Sequence, residues 1–102
     1  MIKLVEENLN KLKEICQANN VAELYLFGSA ASGVFNENSD LDFAVILNND
    51  LSPIEHGDAF FSLLFALQDL FKREIDLVSY RVVKNQIFKE ELDKIKISLY
   101  AA

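Results

Sequence analysis

Three observations on the sequence predict an α/β (α+β) fold, a small mixed β-sheet flanked by helices. Three stretches are rich in strand formers: "VAELYLF" (21–27), "DLDFAVILN" (40–48) and "EIDLVSY" (74–80). Only twelve residues, 28–39, separate the first two, too few for a helical crossover, so those strands should be antiparallel neighbours. A long helical segment lies between the second and third, the signature of a right-handed crossover that makes them parallel.

The elements follow in order. From 2 to about 20, Ile2, Val5, Leu9, Leu12 and Cys16 recur at steps of three and four, as on one face of an amphipathic helix, and "NN" at 19–20 suits its end. Strand β1 (21–27) leads into "GSAASGVFNENS", a loop with one turn of helix starting at Ser29. Strand β2 (40–48) alternates, with Leu41, Phe43, Val45 and Leu47 on one face. "SPIE" at 52–55 offers Ser as N-cap, Pro at the first helical position and Glu at the third, a capping box for a helix from Pro53 to about Lys72. Strand β3 (74–80) comes next, then a helix from about Asn85 to Lys94, and "KISLY" closes the chain as a short edge strand. In the long helix Phe60, Phe61, Leu63, Leu64, Phe65, Leu67, Leu70 and Phe71 cover more than one face. Either it is sandwiched between the sheet and another helix, or part of it meets a partner protein.

Composition narrows the function classes. A length of 102 residues predicts one domain, 1–102, and an apolar share of 51% is enough to fill a core. No apolar run approaches the length of a membrane span, and the first twenty residues are amphipathic and mixed in charge, unlike a signal peptide. The expectation is a cytoplasmic protein. One cysteine, Cys16, excludes a disulfide within the chain, and its place on an apolar helix face predicts a buried, inert thiol. Acids outnumber bases 16 to 10, a net charge of −6, which argues against gripping a nucleic-acid backbone. A metal-bound nucleotide or a protein surface fits better.

The predicted topology also gathers chemistry. The end of β1 and the starts of β2 and β3 share one sheet edge, which therefore holds Gly28, Ser29, Asp40, Asp42 and Asp76. Asp40 and Asp42, two apart on one strand, face the same way, opposite the apolar set, and Asp76 joins them from the neighbouring strand. Two like charges about 4 Å apart cost about 4 kcal/mol at an effective dielectric near 20. Each acid alone reads as a solvated strand end; together they call for a cation. Carboxylates with no His or Cys nearby suit a hard ion such as Mg²⁺.

"LYLFGSAASGVFNENSDLDFAVIL" followed by "REIDLVSY" resembles the minimal nucleotidyltransferases of the DNA polymerase β-like superfamily. Their pattern is an apolar strand, Gly-Ser, a spacer with a second Gly, Ser-Asp-x-Asp on the next strand, and a third Asp on a later one. Gly28, Ser29, Gly33, Ser39, Asp40, Asp42 and Asp76 match it. The resemblance implies a polymerase β palm-like core and transfer of a nucleoside monophosphate from an NTP, here ATP, to a hydroxyl, releasing pyrophosphate. It further implies that Asp40, Asp42 and Asp76 are catalytic and hold two Mg²⁺ ions, with Asp76 on the acceptor side. Gly28, Ser29, Gly33 and Ser39 would bind nucleotide. Many relatives carry Arg where this chain has Ala30 and Ser32; Lys72, Arg73, Arg81 and Lys84 flank β3 and either replace that charge or form a solvated fringe. His56 reads as a surface or capping residue.

Polymerases and tRNA-modifying relatives add domains that grip the acceptor, and 102 residues leave no length for one, so recognition is expected from a partner. The resemblance implies a small helical HEPN-type toxin, with this chain as the antitoxin that adenylylates a toxin tyrosine. The alternative is a weak or inactive domain that neutralises its partner by binding. Modification of a small molecule such as an aminoglycoside ranks third, because no substrate-binding region is visible.

Overall fold

The computed structural model describes residues 2–32 and 39–102. Among them are five α-helices, α1 (Lys3–Glu6), α2 (Leu9–Ala18), α3 (Ser29–Ser32), α4 (Pro53–Phe71) and α5 (Gln86–Ile95), and four strands, β1 (Val21–Phe27), β2 (Leu41–Leu47), β3 (Ile75–Ser79) and β4 (Ile97–Ala101). The strands form one mixed sheet in the order β3-β2-β1-β4. β2 runs antiparallel to β1 and parallel to β3, and β4 closes the other edge antiparallel to β1. This is the α+β architecture and strand pairing expected from the loop lengths.

Period-two alternation decides which face of the sheet is covered by what. Leu24 and Leu26 of β1, Leu41, Phe43, Val45 and Leu47 of β2 and Ile75 of β3 form the main core with Leu12 and Cys16 of α2 and Ala59, Leu63, Leu67 and Phe71 of α4. Those α4 residues recur every four, one stripe along a helix. Phe71 stacks on Phe43 with ring centroids 5.9 Å apart and 24° between planes. Cys16 is fully buried, and burial pushes its thiol up to about 12, so it stays protonated and inert. On the opposite face, Phe27, Ala44 and Leu92 form a smaller core with Tyr25, Val78 and Tyr80 around it, and α5 lies over it.

The capping box is formed in full. Ser52 Oγ accepts from Glu55 N–H at 3.2 Å, and Glu55 Oε1 accepts from Ser52 N–H at 3.0 Å. At the other end Lys72 takes a left-handed conformation, φ 55°, and stops α4.

The expected first helix, 2–20, is two helices. Asn8 sits at φ −113°, ψ 13°, and its side-chain amide donates to the Leu4 carbonyl at 2.8 Å. That bond satisfies the last turn of α1 locally and competes with helix continuation. Asn19 repeats the device on Ile15, at 2.7 Å, and Asn20 turns left-handed at φ 59° to feed β1. Among the described residues no helix is long and apolar enough to cross a membrane.

Candidate active site

The parallel register sets Asp42 directly beside Asp76, and the antiparallel register sets Asp42 beside Phe27. Phe27, Asp42 and Asp76 therefore form one row across three strands on the α5 face of the sheet. Gly28 follows Phe27 at φ +70°, a conformation open to glycine. A Cβ at Gly28 would overlap Asp42 Oδ2 and stand 3.0 Å from its Cγ. The turn is thus moulded against the carboxylate, and only glycine serves it on both counts. Ser29 opens α3 directly after, and the Gly28 carbonyl accepts from Ala31 N–H at 3.2 Å.

Asp42 is half-buried, and its pKa is pushed up to about 6. Burial is the largest cause; the charges of Asp76 and Asp40 and a hydrogen bond shared with Asp76 add to it. Asp40 and Asp76 are exposed. Asp76 and Asp42 are thus brought together, whereas Asp40 acts on Asp42 only through space. Among the described residues no three His, Cys, Asp or Glu side chains are gathered closely enough to hold a metal ion. The donor set still fits a hard cation: two carboxylates at hydrogen-bonding distance, a third within electrostatic range, and neither His nor Cys.

Other expected site residues separate on inspection. Ser39 precedes Asp40, and its carbonyl accepts from Arg73 Nη1 at 3.2 Å. Glu74 O accepts from Leu41 N–H at 3.2 Å, so the segment before β3 is tied to the start of β2 at the acid-bearing edge. Gly33 lies outside the described residues. Ala30 is 1% exposed and belongs to the core, so a long cationic side chain has no room there. Of the basic residues near β3, Arg73 reaches this edge. Arg81 donates to Leu47 O and to Asn49 Oδ1 at the far end of β2, and Lys72 pairs with Asp69 at 2.8 Å on the surface. Sequence reasoning overlooked the aromatic flank of the site: Phe27 meets Phe88 of α5 edge to face, centroids 6.0 Å apart at 78°. The signal was Phe27's alternation with Leu26, which turns it onto the acid-bearing face.

Residues 10–102 match the family model for the polymerase beta nucleotidyltransferase domain. The chain belongs to this family. Among curated proteins it is 35% identical over 81 residues to the protein adenylyltransferase MntA of Shewanella oneidensis, covering 79% of this chain and 49% of that one. The chain thus spans about half the length of the curated relative it matches. Among solved structures, a toxin–antitoxin crystal structure with AMP-PNP superposes with a TM-score of 0.72 at 27% identity, covering 93% of this nucleotidyltransferase chain and 74% of the other. The complex of a tri-AMPylated Shewanella oneidensis HEPN toxin with its MNT antitoxin shares the fold, with a TM-score of 0.64 at 23% identity over 95% and 72% of the two chains.

Proposed function

We propose that residues 1–102 act as a single cytoplasmic nucleotidyltransferase domain that moves AMP from ATP to a hydroxyl of a partner protein, as the antitoxin of a HEPN-type toxin. The observation that carries this reading is the Asp42–Asp76 carboxylate pair, set in register across parallel strands against a side-chain-free turn, with Asp40 acting on it from two residues away. The 35% identity to a protein adenylyltransferase and the 27% identity to a toxin–antitoxin chain crystallised with AMP-PNP support the nucleotide and the class of partner.

In this reading Asp40, Asp42 and Asp76 hold Mg²⁺, which when bound activates the attacking oxygen and neutralises charge on the leaving pyrophosphate. The chain's own groups do the rest. Gly28 lets the backbone approach the β- and γ-phosphates, and the Ser29 hydroxyl donates to their oxygens, with Gly33 and Ser39 completing the nucleotide contacts. Asp76, exposed on the acceptor side, takes the proton from the attacking hydroxyl. A bond forms between that oxygen and the α-phosphorus, the α–β bridge breaks, and pyrophosphate leaves. Arg73, held at this edge by the Ser39 carbonyl, is a source of the cationic charge that Ala30 cannot supply.

A binding-only antitoxin is the second reading, favoured by the burial of Ala30 where relatives place a guanidinium. Intact-mass measurement decides between the two. The wild-type chain, incubated with ATP, Mg²⁺ and the toxin co-expressed with it, is expected to add AMP to that toxin, and an Asp40→Asn, Asp42→Asn double variant to add none. No adduct from the wild type, together with full neutralisation by the double variant, would establish binding alone.

A further inference from the structure

We infer that Phe88, backed by Phe27, is the platform on which the nucleotide's base stacks, a deeper reading of the site that rests on the nucleotidyl transfer proposed above. Phe27, Asp42 and Asp76 form one row on one face of the sheet, so the Phe27 ring is the immediate neighbour of the Asp42 carboxylate. Phe27 is 7% exposed, whereas Phe88, packed edge to face on it, keeps 40% of its surface open. Asp42, Phe27 and Phe88 thus run in order from the proposed phosphate site to an open ring, with 6.0 Å between the two ring centroids. A Mg²⁺-bound phosphate at the acids would therefore deliver the base to this aromatic surface.

The helix that carries the ring is anchored at two points. Asn85 caps α5, its side-chain oxygen accepting from the Phe88 N–H at 3.0 Å, and Leu92 pins the same helix onto Phe27 and Ala44. A preorganised ring loses little freedom on binding. Stacking on an aromatic ring contributes about 1–3 kcal/mol per base and tolerates any base, because every base has a π-face. Continuity with the acidic row, where the phosphates are proposed to sit, favours the base of that same nucleotide here.

The chain contains no tryptophan, so Phe88→Trp places a sole indole on the platform. MgATP is expected to quench its emission saturably, whereas Mg²⁺-tripolyphosphate, which has no base, leaves it unchanged. Phe88→Ala is expected to weaken MgATP binding about tenfold and to leave tripolyphosphate binding alone. Several outcomes would overturn the platform while nucleotidyl transfer stands: equal MgATP affinity in wild type and Phe88→Ala, equal quenching by the two ligands, or parallel loss of both ligands in Phe88→Ala. So would loss of toxin binding with MgATP affinity intact, which would hand this patch to the partner. A wild-type chain that binds no MgATP removes both readings.

Discussion

Asp42 shows how one side chain records its surroundings. Its carboxyl is pushed up from 3.8 to about 6, first by burial and then by Asp76 and Asp40. The folded chain therefore binds this proton more tightly than the unfolded chain does. Between about pH 4 and pH 6 the native state carries the extra proton, so stability falls as pH rises through that window and the full cost is present above it. Allowing for solvent screening of a half-exposed group, that cost is about 1–2 kcal/mol at pH 7. Without Mg²⁺, Asp42→Asn should be more stable than wild type by this amount at pH 7 and level with it near pH 4, as read from urea midpoints. An unchanged difference across that range would mean that the carboxyl is not perturbed. The two aspartates of "SDLD" and the Gly-Ser before them were legible because strand alternation and a glycine turn are local. The unequal standing of the three acids was not, because it depends on a register between strands more than thirty residues apart in sequence. The Arg73–Ser39 bond, spanning 34 residues, was hidden for the same reason.

Among the elements, α4 was the most readable. Ser52, Pro53 and Glu55 announce its start, and a left-handed Lys72 ends it within one residue of the expected boundary. Ser52→Ala removes one half of the capping box and is expected to cost about 1 kcal/mol, visible as a lower thermal midpoint with activity unchanged; no loss would mean that solvent serves the helix end equally well. The helix also answers the question of its excess aromatics. Leu63, Leu67 and Phe71 are buried, while Phe61 and Phe65 stand 55% and 62% exposed with ring centroids 6.4 Å apart. One stripe holds the sheet and another faces outward. The break between α1 and α2 escaped the reading because apolar spacing continues unbroken through it. What ends α1 is a side-chain amide of Asn8, and periodicity carries no record of that.

For the whole molecule, the short β1–β2 connection and the long β2–β3 crossover were enough to set three strands and to bring their acid-bearing ends to one edge. The consequence that local reasoning missed is two-sided: α2 and α4 fill one face of the sheet, and α5 only partly covers the other, leaving the row of Phe27, Asp42 and Asp76 beside open aromatic surface. Like charges held together there are a standing cost that a bound cation relieves, and binding to the native state alone adds stability by mass action. The most direct measurement is the thermal midpoint with and without Mg²⁺. At about ten times its dissociation constant, Mg²⁺ should add about 1.4 kcal/mol to wild type, a rise of several degrees for a chain of this size, and less than half that rise to Asp42→Asn. Equal shifts in the two proteins would contradict a cation site shared by these carboxylates.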